Sequence, residues 1–189
     1  MNKLVQTIQE KGGKIALENW RKENPGKNPD LSGADLNNTD LQEADLSNTI
    51  FKYTNLQNAN LTKANLRNCK FFKADLSGAN CTNADFTGAK LTDTNVKYTI
   101  FKNANLSDTN VMSAYNKEYA IWAKAKFNDE HQLTQVLVMI MSSCFTHRPG
   151  PEMHILVSCN HYSKPEEKRY EPKNKTTGWT NTIKKLFGK

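Results

Sequence analysis

The chain is short of most of what marks the specialised protein classes. Its 189 residues hold four cysteines, far below the density of a disulfide scaffold, so a reducing cytoplasm is the expected setting. Six prolines and nine glycines are too few for a linker-like polymer. No apolar run approaches the roughly 18 residues a membrane-spanning helix needs. Glu10, Lys11 and Lys14 follow the start too soon for a secretory hydrophobic segment. A mean hydropathy of −0.73, 37% hydrophobic residues and 26 basic against 19 acidic side chains, net +7, lean towards disorder. Only a fold whose inward positions are few and regular reconciles such a composition with a folded chain.

That regularity is present. From Leu31 to Val111 a large residue returns at every fifth position: ten Leu, four Phe, two Val and Cys81, seventeen in succession. Two residues before each stands a small one: nine Ala, six Thr, Cys69 and Pro29. A period of five fits neither the helix nor the strand. It fits a short extended segment followed by a corner, with the small and large residues pointing to the same side. The position two beyond each large residue is then the corner. Eleven of the seventeen are Gly, Asn or Asp, the residues that tolerate a left-handed backbone. Four corners of one sense close a square coil of twenty residues, stacking at a ladder spacing of about 4.8 Å.

Ala34-Asp35-Leu36, Ala44-Asp45-Leu46, Ala59-Asn60-Leu61, Ala64-Asn65-Leu66, Ala74-Asp75-Leu76 and Ala104-Asn105-Leu106 resemble the signature of the pentapeptide-repeat family over residues 29–113. The segment from Trp20 to Pro25, leading into Pro29–Ala34, is similar to the lead-in of many bacterial members. The resemblance implies an all-β solenoid, a right-handed quadrilateral β-helix of about four coils.

Stacked positions lie twenty apart, so the faces can be written down. One inward column reads Leu31, Phe51, Phe71, Leu91, Val111; another reads Leu46, Leu66, Phe86, Leu106, beside an alanine column at 44, 64, 84 and 104. Cys69 and Cys81 fall in inward slots, where a free thiol packs as a small hydrophobe. A stacked rod has two raw ends and needs caps. Residues 1–28 are expected to cap one end through Leu4, Ile8, Ile15, Leu17 and Trp20, with a break at Gly12-Gly13. Residues 114–161 are expected to cap the other. There Ser113 is read as the N-cap of a helix carrying Tyr115, Tyr119, Trp122 and Ala123 on one face. A second helix is read from Asn128 with a stripe from Leu133 to Phe145; the alternative is a hairpin of 136–147 and 153–161. Residues 162–177 read as a flexible linker. Residues 178–189 read as a short basic amphipathic helix with Trp179, Ile183, Leu186 and Phe187 on its stripe.

The charge is unevenly distributed: +3 over 1–28, −1 over 29–113 and +5 over 114–189. Residues 29–48 carry Asp30, Asp35, Asp40, Glu43 and Asp45 with no base, an acidic first coil. One lateral face stands apart. Ile50, Lys52 and Tyr53, then Lys70, Phe72 and Lys73, then Lys90 stand where other faces carry Asn, Ser, Thr and Asp. Exposed aromatics among lysines fit an interaction patch, and these seven are the expected protein-binding residues. Packing of a terminal segment over this face is the plainer alternative. A smaller patch is Lys97, Tyr98, Ile100 and Lys102.

Catalytic chemistry has little to stand on. Cys144, His147, His154, Cys159 and His161 lack a paired zinc-knuckle spacing. A Cys–His nucleophile pair would have neither an oxyanion site nor an orienting carboxylate. Gly12-Gly13 lacks the context of a phosphate loop. No cofactor or metal and no enzymatic activity are expected. The leading expectation is a scaffold that binds a protein partner through the lateral face. The resemblance adds an alternative, imitation of duplex DNA towards a topoisomerase, as some family members do. A third is attachment to nucleic acid or an anionic membrane through the basic C-terminal segment.

Overall fold

The fold is given by a computed structural model that describes residues 3–128, 133–138 and 158–159. Two helices come first, α1 (Lys3–Lys11) and α2 (Gly13–Glu23). The first buries Leu4, Val5 and Ile8; the second buries Gly13, Ala16 and Leu17. Gly12, with φ 81°, separates them. Gly13 lies so close to the first coil that a Cβ there would strike the Leu41 side chain, and its N–H donates to the Asp40 carbonyl at 3.0 Å. Arg21 donates to the carbonyls of Asp45 and Ser47, and Gln9 to that of Asp35. Ile15, expected among the apolar contacts, is instead 53% exposed. The buried stripe of α2 runs through 13, 16 and 17, and 15 falls off it.

Beyond Pro29 the chain climbs in square coils. Parallel bridges join residues twenty apart in four columns: 30, 50, 70, 90; 35, 55, 75, 95; 40, 60, 80, 100; and 45, 65, 85, 105. Each bridge is a pair of backbone bonds, such as Leu36 N–H to the Asn55 carbonyl and Asn55 N–H to the Ala34 carbonyl, at 2.8 and 2.9 Å. Between columns the small residue's N–H donates back to the preceding large residue's carbonyl, as from Ala34 to Leu31, closing a four-residue turn. Every corner from Gly33 to Asp108 has positive φ, 54–59° where the residue is not glycine.

Inside, the large residues are fully buried. Phe51 and Phe71 stack at 4.9 Å, and the aromatic series runs on through Phe86, Phe101 and Trp122. Inward threonines solve their polarity locally. Thr54, Thr94 and Thr99 donate to the carbonyls of Leu31, Phe71 and Leu76, each 23 residues back. Among the described residues only Thr49 has an orphaned buried hydroxyl, because the rung that would supply its acceptor precedes the first repeat.

The expected helix over 114–127 is not formed, and the coil continues past 113. Asn95 bridges Tyr115, but Ile100 bridges Ile121 and Asn105 bridges Lys126, a spacing of 21. One extra residue is absorbed at Asn116, which is left-handed, and a single 3-10 turn, Lys117–Tyr119. Val111–Ser113 is likewise a 3-10 turn, so Ser113 caps no α-helix. Tyr115 and Tyr119 are exposed while Trp122 is buried, its indole N–H donating to the Lys117 carbonyl. Strand β1 (Lys126–Phe127) pairs in parallel with β2 (Ser158–Cys159), adding a rung to the same column. Residues 133–138 are helical, with Val136 buried. The rest of that helix, the hairpin alternative and the 178–189 segment lie outside the described residues. No described helix is long and apolar enough to cross a membrane.

A lateral face without its side-chain hydrogen bonds

On most of the rod the outward residue before each large one is Asp or Asn, and it has work to do. Of the sixteen such positions from 30 to 105, twelve accept a hydrogen bond from the backbone N–H two residues on. Several also bond vertically: Asn55 to Asp35, Asn60 to Asp40, Asn65 to Asp45 and Asn95 to Asp75, at 2.9–3.1 Å. These bonds pin the corner and tie one coil to the next, each contributing about 0.5–1.5 kcal/mol. Asp75 and Asp85 show the balance. Burial raises their carboxyl pKa, but the hydrogen bonds they accept, led by Ser77 and Thr87, outweigh it and hold both below 3.8.

The four exceptions are 50, 70, 90 and 100. Three make one column: Ile50 bridges Lys70, and Lys70 bridges Lys90. Neither Ile nor Lys has an acceptor, so the N–H groups of Lys52, Phe72 and Thr92 lose the side-chain partner that other turns provide. The residues expected to bind a partner from the sequence are thus those at which the repeat's own hydrogen-bond rule is broken, together with their turn neighbours.

The structure brings these neighbours together. Tyr53, 60% exposed, meets half-buried Phe72 edge-on at 5.7 Å. The Lys73 ammonium lies 5.2 Å from the Phe72 ring centre on its face. Tyr53 and Lys73 both occupy corners, at φ 57° and 55°, a conformation that costs an ordinary side chain about 1 kcal/mol. Lys52, Lys70 and Lys90 are exposed. Asp30, at the foot of the column, has its pKa lowered mainly by the Ser32 hydroxyl and N–H, with a smaller pull from Lys52.

Of the sixteen corners from 33 to 108, five carry neither Gly, Asn nor Asp: Glu43, Tyr53, Lys63, Lys73 and Tyr98. Each holds a contact. Glu43 pairs with Lys14 and Lys63, both at 3.3 Å, and these ammonium groups, Lys14 first, lower its pKa. Tyr98 meets Tyr119 at 5.9 Å under the Lys97 ammonium. This smaller patch gains Tyr115, Tyr119 and Ile121, exposed residues that the expected helix had concealed. Lys102 is exposed.

The remaining candidates are quieter. Burial pushes the Cys69 thiol up to about 12, its sulfur donating to the Leu46 carbonyl, and raises Cys81 as well. Among the described residues no group of three His, Cys, Asp or Glu is placed to hold a metal. Cys144, His147, His154 and His161 lie outside them, and of Cys159 only the backbone is described.

Comparison with known proteins points one way. The family model described as pentapeptide repeats matches residues 30–68 and 69–108, in eight copies. No curated protein matches the chain. Among solved structures, a pentapeptide repeat protein from the Arabidopsis thaliana thylakoid lumen is 25% identical, with a TM-score of 0.53 over 57% of this chain and 74% of that one. QnrB1, a plasmid-mediated fluoroquinolone resistance protein, is 18% identical, with a TM-score of 0.43 over 59% of this chain and 65% of its own. HetL of the cyanobacterium Nostoc, involved in heterocyst differentiation regulation, is 23% identical, with a TM-score of 0.22 over 52% of this chain and 62% of its own.

Proposed function

Because residues 30–108 of this chain are pentapeptide repeats folded as a right-handed quadrilateral β-helix, we propose that it is a non-enzymatic scaffold whose lateral face binds a protein partner. The binding residues are Ile50, Lys52, Tyr53, Lys70, Phe72, Lys73 and Lys90. The rod of about four coils is a rigid platform, closed by α1 and α2 at one end and by residues beyond 113 at the other. One observation carries the reading: the column 50, 70, 90 forgoes turn-pinning hydrogen bonds that twelve of the sixteen equivalent positions make. Where local rules are broken without gain to the fold, function is the expected reason. Replacing Tyr53 and Phe72 together by Ala is expected to release the partner in affinity capture while leaving the melting temperature within a few degrees. Full retention of every captured partner sinks the proposal.

The duplex-imitating alternative has less support. Of the first coil's carboxylates, Glu43 is occupied by Lys14 and Lys63, and Asp45 by Arg21, so the acidic surface is short and partly neutralised. A supercoiling assay with purified topoisomerase, showing neither inhibition nor protection, is the expected result.

A further inference from the structure

The interaction-face reading leaves the partner's chemistry open, and the face itself narrows it. Lys52, Lys70, Lys73 and Lys90 stand on it against Asp30 and Asp93, four minus two. The described residues make four salt bridges, to Glu43 twice, to Asp45 and to Asp85; none uses these four lysines. Lys70 and Lys90 are direct bridge partners, so their Cα atoms sit about one ladder spacing, 4.8 Å, apart. Like charges directly opposite on adjacent rungs repel. In the other columns four such vertical pairs, 35/55, 40/60, 45/65 and 75/95, are hydrogen-bonded instead. The free rod therefore holds a repulsion that a bound anion relieves.

Resting on the reading of this face as a binding surface, we infer that its partner is an extended acidic protein segment laid along the rod axis. Carboxylates engage Lys70 and Lys90, and an apolar side chain seats against Ile50 and Phe72. In an extended segment alternate side chains share one side and recur every 6.6 Å or so, wider than one rung, and the long lysine side chains, splayed by their mutual repulsion, span the difference. A nucleic acid fits less well. Phe72 is half-buried, with Tyr53 perpendicular to it and Lys73 on one face, so little of its ring is open for base stacking. Ile50, half-buried in the cationic column, gives a phosphate nothing. Among the described residues no arginine lies on the face, although arginine leads in phosphate recognition.

The test uses the full chain and fluorescence anisotropy with three labelled probes. They are the twelve-residue peptide (Glu-Thr-Glu-Thr-Leu-Thr)2, whose Glu and Leu share one side when extended, its lysine counterpart (Lys-Thr-Lys-Thr-Leu-Thr)2, and a twelve-nucleotide oligothymidylate. The acidic peptide is expected to bind best, and to weaken about tenfold as salt rises from about 50 to 300 mM. Lys70→Gln/Lys90→Gln, which keeps the side-chain stems, is expected to weaken it at least about tenfold. Lys97→Gln/Lys102→Gln is expected to bind as the unaltered chain does. An acidic peptide that binds no better than the basic one, or an oligothymidylate that binds as tightly, overturns the inference. Partner capture separates the two levels. Loss with Tyr53→Ala/Phe72→Ala but full retention with Lys70→Gln/Lys90→Gln upholds the face and rejects the acidic partner. Retention with both variants rejects the face itself.

Discussion

The column Asp45, Asn65, Asp85, Asn105 and the column Asp30, Ile50, Lys70, Lys90 are built on the same interior and differ outside at every rung above the first. Both alternate with buried large residues and bridge at twenty-residue spacing. In the first, every outward residue accepts from its own turn. In the second, only Asp30 does. A square coil thus separates the two demands on its sequence. Two positions in five fix the core, and the outward position can trade a local hydrogen bond for a side chain that faces a partner. The trade costs about a kilocalorie per position, small enough for a rod with a continuous core to sustain.

Neighbouring residues provide the sharpest test of that separation. Phe71 is fully buried and stacked on Phe51, whereas Phe72 faces outward. Phe71→Ala is expected to cost about 3–5 kcal/mol in urea unfolding, and Phe72→Ala less than about 1 kcal/mol. Equal losses would mean that the face is part of the core's support. The next effect contrasts the columns. Asn60 donates to Asp40 and Gln42 and accepts from Thr62; Asn60→Ala is expected to cost about 1–2 kcal/mol. Lys70→Ala should stay within about 0.5 kcal/mol. A smaller change, of opposite sign, is expected at the corner. Tyr53 holds φ 57°, so Tyr53→Asn should stabilise by about 0.5–1 kcal/mol, read as a raised unfolding midpoint.

Acid gives the mildest probe. Asp75 and Asp85 have folded pKa values below their ordinary 3.8. Their stabilisation is therefore present above that value and is lost as pH falls through the depressed folded values. Melting temperatures are expected to drop below about pH 4, and Asp75→Asn/Asp85→Asn to flatten that slope. Lys70→Gln/Lys90→Gln, which removes no carboxylate, should leave the slope unchanged.

The repeats were plainly legible, because large residues at a strict five-residue spacing admit no helix or strand, and Asn at 38, 48, 58 and 68 announces the corners. Legibility failed where the phase slipped. Tyr115, Tyr119, Trp122 and Ala123 match a helical stripe behind a Ser113 cap, which concealed the extra residue at 116–119. The signal was present nonetheless: Ala120-Ile121-Trp122 and Ala125-Lys126-Phe127 repeat the small–outward–large triplet one residue out of frame. Tyr115, Tyr119 and Ile121 were missed with it. The lateral face was found by composition, as apolar and lysine side chains among Asn and Asp. Its hydrogen-bond deficit was not, since the bond from residue 70 to the N–H of 72 exists only once the turn is known. Ile15 was misplaced because the start of α2 at Gly13 sets which residues of that helix face the coil.

The central claim is that the column 50, 70, 90 gives up stability to keep a binding surface. It is tested most directly by the unfolding free energy of Lys70→Asn/Lys90→Asn, which restores the acceptor at both turns and removes the stacked charges. The account predicts a gain of about 1–2 kcal/mol over the unaltered chain. No gain, or a loss, would contradict it.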